Sequence, residues 1–187
     1  VAGSVRRMKA TVKDVNLLAT SHDPKALLDA FTTMTFVAKV VSRGETEARV
    51  ILEDGTPVEL VVVDEDAFVP ALLHRTGSAA HVEALKAALA RKGLDLAPDA
   101  VRKQGKPLLV EAEREVYAAA GVPWFPPELR ETADLGRAPP DDLVSMADVV
   151  GILHAHSTWS DGAYSIREMA TKARESGFAC FAICDHS

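Results

Sequence analysis

Cysteine is scarce: Cys180 and Cys184 are the only two in 187 residues, which excludes a disulfide framework as the source of stability. Both stand in an apolar stretch and read as buried thiols of a cytoplasmic enzyme. No run approaches the ~18 apolar residues of a membrane span, and the N-terminus lacks the charged-then-apolar order of a signal peptide. A soluble, cytoplasmic protein is the expectation. Basic excess is missing too. A net charge of -6 and a pI near 5.5 exclude a global attraction for nucleic acid, so local patches must carry any such role. There is no internal repeat and no low-complexity tract. What is present is apolar material, 48% of the residues, enough for the cores of one or two domains.

The densest chemistry lies at the C-terminal end. An apolar run, Val149, Val150, Ile152 and Leu153, reads as a buried strand leading into His154-Ala155-His156, whose alternate positions share one face. Beyond Asp161-Gly162 a helix is signalled by Ser165 as N-cap, Glu168 three residues on, the stripe Ile166, Met169, Ala170 and Ala173, and Gly177 after its end. Phe178 to Cys184 reads as a second strand, ending at Asp185-His186-Ser187. Strand, helix and strand make a βαβ unit, whose parallel strands bring their C-terminal ends together. His154, His156, Asp161, Asp185 and His186 should therefore converge on one rim. Imidazole with carboxylate is a donor set for zinc, manganese or iron in hydrolytic sites.

From the start of the chain, Gly3-Ser4 followed by Arg6, Arg7 and Lys9 forms a plausible phosphate cradle, although Gly-Ser is also an ordinary turn. Thr11 to Ala19 reads as a strand with Asp14 and Asn16 on one face. Asp23-Pro24 opens a helix through Leu27, Leu28 and Phe31. Three strands follow, Phe36 to Val41, Ala48 to Leu52 and Val58 to Val63, with turns at Arg43-Gly44 and Asp54-Gly55. Glu59 is a lone carboxylate in the last of them, either on a solvated face or held for a purpose. Ala80 to Arg91 reads as an amphipathic helix with a basic face at Lys86, Arg91 and Lys92; Val82, Leu85 and Leu89 read as core. Arg102 to Lys106 reads as a basic hairpin turn, Glu111 to Ala120 as a helix, and Trp124 as a packed residue of a Pro-rich closing segment. Thr132 to Pro140 is the linker candidate.

His154-x-His156, then Ser160-Asp161-Gly162, a helix, an apolar strand and Asp185-His186-Ser187 resemble the first two motifs of the PHP domain, a metal-dependent phosphoesterase family. The resemblance covers residues 148 to 187. It implies Zn²⁺ or Mn²⁺, with His154 and His156 at one metal position and Asp161 and His186 at a neighbouring one. Upstream, Gly3-Ser4 with Arg6-Arg7, Asp14-x-Asn16, Glu59, and His74-Arg75-Thr76-Gly77-Ser78 resemble the palm and thumb of a family X DNA polymerase. The order of the two halves is similar to that of bacterial family X polymerases carrying a C-terminal PHP domain.

By this resemblance the fold is an α+β polymerase palm, a nucleotidyltransferase-like mixed sheet, with a thumb, followed by the first βαβ unit of a PHP-type barrel. The implied domains are a palm over 1–72, a thumb over 73–131, a linker over 132–147 and the start of PHP over 148–187, with both chain ends expected to be truncated. Gly3, Ser4, Arg7, His74 and Gly77 are implied to bind the nucleotide, and Lys86 the template. Asp14, Asn16 and Glu59 take the three metal-carboxylate positions, with Mg²⁺ or Mn²⁺ held by Asp14 and Glu59. The implied function is gap filling in DNA repair, with metal-dependent 3′–5′ exonuclease or other phosphodiesterase activity in the PHP part. The implied partners are gapped or primer-template DNA and deoxynucleoside triphosphates, and the implied state is a monomer. Departures from the family pattern weigh against strong polymerisation: Asn16 and Glu59 replace Asp, Lys13 replaces Gly, and Val82 replaces Asn. Two alternatives therefore stand beside it, a DNA-binding platform with a degenerate polymerase site serving a PHP nuclease, and a PHP small-molecule phosphatase.

Overall fold

The computed structural model describes residues 1–140 and 142–187; Asp141, within the expected linker, lies outside the described residues. The chain divides into two compact units, Val1–Pro139 and Pro140–Ser187.

The first unit opens with a single helical turn, α1 (Gly3–Arg6), and a strand, β1 (Val15–Thr20). The strand begins four residues later than its alternation suggests. Its neighbour supplies no partner before Pro57, and the first register pair is Val15 with Val58, so Asp14 stands just outside the strand. Helix α2 (Pro24–Thr32) starts as its sequence dictates: the Asp23 carboxylate accepts from the Ala26 N–H at 2.9 Å, and Pro24 occupies the first turn, where no N–H is needed. Three strands follow, β2 (Val37–Arg43), β3 (Glu47–Leu52) and β4 (Pro57–Val63). The sheet order is β1-β4-β3-β2, with β1 parallel to β4 and the other pairs antiparallel.

Register decides where the chemistry falls. Asn16 lies beside Glu59 across the parallel pair, and Arg49 lies opposite Glu59 across the antiparallel pair. One sheet face buries Val50, Val58, Leu60 and Val62 under Leu28 and Phe31 of α2. The other face is not open to water, since Val61 packs with Leu18 of β1 and Ala71 of the next helix. Glu59 thus projects into a partly covered face, with 18% of its side chain exposed.

Helix α3 (Phe68–Thr76) leads through Gly77 and Ser78 into α4 (Ala79–Ala90). A three-stranded meander, β5 (Leu94–Leu96), β6 (Val101–Lys103) and β7 (Lys106–Leu108), precedes α5 (Glu113–Ala120). The hairpin between β6 and β7 turns at Gln104 and Gly105, both at positive φ as a two-residue primed turn requires. Leu73, Leu85, Leu89, Leu96, Val116, Tyr117 and Phe125 form the core here. Leu135 joins that core at 8% exposure, and Trp124 packs against its edge.

In the second unit, β8 (Gly151–Ala155) and β9 (Cys180–Ile183) pair in parallel across α6 (Ile166–Glu175). The capping box is formed: Ser165 N–H donates to Glu168 Oε2 at 2.8 Å, and Ser165 Oγ accepts from the Glu168 N–H at 3.3 Å. The expectation of buried strands and buried thiols is corrected here. Val150 and Leu153 are 63% and 72% exposed, and both cysteines are exposed. One helix can cover only one face of a two-stranded sheet, and even there it leaves a cavity of about 630 Å³ lined by Ile152, Met169, Phe178 and Phe181.

Candidate functional site

On the sheet of the first unit, Asn16 of β1 and Glu59 of β4 are neighbours, with Asp14 just before β1, but the three are not three free oxygen donors. Asp14 is exposed and shares a cleft of about 340 Å³ with Lys13, Arg49 and Glu59. Asn16 offers a neutral amide, packed against Gly3: a Cβ on Gly3 would come within 2.9 Å of its Nδ2, and Gly3 sits at φ +64°. Glu59 is engaged at both oxygens, accepting from Arg49 at 2.6 Å and from Arg75 at 2.7 Å. Partial burial works to raise the Glu59 carboxyl, yet the two guanidinium hydrogen bonds outweigh it and hold the group below the usual range. This donor set does not fit a pair of divalent ions, which need several ionised oxygens with lone pairs to give.

The implied nucleotide-binding residues are only partly assembled. Ser4 is half-buried on the α1 turn. The Arg7 guanidinium lies against the turn after α3: it donates to the Thr76 carbonyl, and a Cβ on Gly77 would meet Arg7 Nη1 at 3.1 Å. Its Nε donates to Glu131 at 2.7 Å. Arg7, Thr76 and Gly77 are thus one cluster, and Gly3 joins it to Asn16. His74 is not part of it. Its Nε2 lies 3.3 Å from the Leu96 carbonyl oxygen, and burial pushes its pKa down. Lys86 pairs with Glu83 at 2.9 Å on an exposed helix face.

In the second unit the βαβ geometry delivers a cluster. His156, Asp161 and His186 place ligand atoms within 4.8 Å of one another. His156 Nδ1 lies 2.7 Å from Asp161 Oδ1, and His154 Nε2 lies 2.9 Å from His156 Nε2. The hydrogen bond from His156 holds the Asp161 carboxyl below its ordinary value. Two or three imidazoles and a carboxylate at the ends of parallel strands fit a divalent metal ion. Asp185 takes another part. It accepts from the Ser157 N–H at 2.6 Å, Ser157 Oγ at 2.5 Å and Ser160 Oγ at 2.6 Å, which fixes the loop between β8 and α6. Gly162 completes that loop, because any Cβ there would overlap the His156 carbonyl.

The phosphate-cradle role expected of Arg6 is corrected: it turns away from Arg7 and donates twice to Glu113 of α5, a residue the sequence does not single out, at 2.7 and 2.9 Å. Glu113 also accepts twice from Arg130, whose side chain is 1% exposed. Arg130 in turn receives the Ser78 N–H at its carbonyl, and Arg6 donates to Thr76 Oγ1, so this network braces the Thr76-Gly77-Ser78 turn. No local pattern marks a contact 107 residues long. Arg49 carried a readable signal: it and Glu59 stand symmetrically about Asp54 of the Asp54-Gly55 turn, so hairpin register places them opposite each other.

A family model for the DNA polymerase beta thumb matches residues 71–131. Over 192 aligned residues the chain is 35% identical to the DNA polymerase/3'-5' exonuclease PolX of Bacillus subtilis (strain 168); the match takes in 100% of this chain and 34% of the relative. The chain spans about a third of the length of that curated relative.

Proposed function

We propose that this chain is part of a family X DNA polymerase with a DNA-repair function at 3′ ends, in which palm and thumb hold DNA and the C-terminal unit hydrolyses phosphodiester bonds; the thumb-model match and the 35% identity to PolX support this reading. The observation that carries the hydrolytic half is the gathering of His156, Asp161 and His186 within 4.8 Å, with His154 alongside. His154, His156, Asp161 and His186 would hold a divalent cation, Mn²⁺ or Zn²⁺ by the donor set, which would supply Lewis acidity when bound. The chain's own residues do the positioning. His154 lies on β8 and His156 just past its end, Asp161 orients the His156 ring through Nδ1, and Asp185 holds the loop through Ser157 and Ser160. Pairing this unit with a polymerase-type palm and thumb favours a polynucleotide over a small phosphate ester as substrate.

A second reading, template-directed nucleotidyl transfer with deoxynucleoside triphosphates, is favoured by a separate observation. Arg7 is set against the Gly77 turn and Gly3 against Asn16, which gathers the residues implied to bind a triphosphate. The experiment that decides is incubation of the parent protein with one-nucleotide-gapped DNA and Mn²⁺, scoring primer length with and without triphosphates. Shortening that disappears on His156→Ala supports hydrolysis at the histidine cluster. Template-matched lengthening moves the function to the palm, and an unchanged primer in every condition rejects both.

A further inference from the structure

We infer that the palm cleft balances its charge with arginine in place of divalent cations, so that a phosphate entering it is bound by guanidinium groups directly. A two-ion site needs negative charge with lone pairs to spare. Here the carboxylate best placed for that task has neither oxygen free. Arg49 holds one Glu59 oxygen at 2.6 Å and Arg75 holds the other at 2.7 Å. Both contacts are built into the fold: Arg49 is the cross-strand partner of Glu59, and Arg75 comes from the last turn of α3. Guanidinium does not deprotonate in proteins, so an approaching cation meets two fixed positive charges beside the carboxylate. Asn16 adds no charge, and Lys13 lines the same cleft. Within the cleft lining Lys13 and Arg49 balance Asp14 and Glu59, and Arg75, paired with Glu59 from α3, adds a further positive charge beside it.

The same arrangement welcomes an anion. Arg49 is 56% exposed and spends one of its N–H groups on Glu59, leaving others to face the cleft of about 340 Å³ that it shares with Lys13. Such a site takes a nucleotide or polynucleotide phosphate with no bridging metal. The inference goes beyond the hydrolytic function of the second unit and stands whether or not that unit binds a cation.

The test separates the two. Mn²⁺ binding is followed by electron paramagnetic resonance on the 187-residue chain, the His156→Ala/His186→Ala variant, and that variant with Asn16→Asp, Arg49→Leu and Arg75→Leu added. The double-histidine variant is expected to bind no Mn²⁺ at millimolar concentration, while the rebuilt palm gains one ion. Mn²⁺ bound by the double-histidine variant and lost on adding Asp14→Asn overturns the inference. Absence of Mn²⁺ from the unaltered chain counts against the histidine cluster and leaves the palm inference intact. In parallel, inorganic tripolyphosphate is titrated in EDTA by calorimetry. Binding weakened about tenfold by Arg49→Ala is expected; binding that requires added Mn²⁺, or that ignores Arg49→Ala, overturns it.

Discussion

Asp185 and Ser157 stand 28 residues apart in the chain and are joined by two hydrogen bonds, from the Ser157 N–H at 2.6 Å and from its Oγ at 2.5 Å. The carboxyl is held below its ordinary value by these bonds and the one from Ser160. Asp185 thus positions the segment between His156 and Asp161. Asp185→Ala is expected to weaken Mn²⁺ affinity about 10- to 100-fold, the usual effect of removing an outer support of a metal site. Calorimetric titration against the unaltered chain checks this; an unchanged affinity rejects the positioning role.

Glu113 joins Arg6 and Arg130 in the first unit. Burial would raise its pKa, but hydrogen bonds from Arg130 and Arg6 prevail and lower it to about 2 from an ordinary 4.5. The folded value lies below the unfolded one, so this contribution is complete above pH 4.5 and is lost as pH falls toward 2, amounting to about 3 kcal/mol. Urea unfolding across that window should show the slope in the unaltered chain and lose most of it in Glu113→Gln. At neutral pH, Glu113→Ala leaves Arg130 buried without a counter-charge, and a loss of about 3–5 kcal/mol is expected.

Glu131 competes for the arginine proposed to bind phosphate. It accepts from Arg7 Nε at 2.7 Å and lies 3.6 Å from Lys9, at 45% exposure. With Arg7 12% and Glu131 45% exposed, solvent screens the pair from the Glu131 side; at about 1 kcal/mol for such a pair, Glu131→Gln should tighten triphosphate binding by about fivefold. Arg7→Ala should weaken it, and the gain from Glu131→Gln should vanish when Arg7 is already absent. Fluorescence titration with a labelled triphosphate at low salt reads all three.

The two exposed cysteines give a direct measure of the second unit. Cys180 and Cys184 should both react with a chromogenic disulfide reagent in the native chain, two equivalents without denaturant. Slow reaction that speeds up in urea would show that these thiols are covered.

Local signals carried much of this fold. Asp23-Pro24, Ser165 with Glu168 and Asp54-Gly55 each act through their own few residues, and each places its helix or turn where the structure has it. The convergence of His156, Asp161 and His186 was legible because a βαβ unit fixes where its strand ends meet, but the trio that gathers differs from the grouping implied by resemblance, His154 with His156 and Asp161 with His186. Burial was legible only where the layers exist to supply it. Val150, Leu153 and both cysteines have the composition of core, but the two strands and one helix of their unit cannot enclose them. The pairing of Glu59 with Arg75, and of Glu113 with Arg6, depends on tertiary contacts for which no window of sequence carries a pattern.

The parallel pairing of β8 with β9 has a mechanical side. Two strands alone make a marginal sheet, and the pairing of β8 with β9 already shifts between Ile152 and Ala155, the stretch that carries His154 and leads into His156. Strand registration and ligand geometry are therefore one event. On the proposal that His156, Asp161 and His186 hold a cation, that cation would act as a clasp on this pair of strands, and part of its binding energy would go into holding them in step.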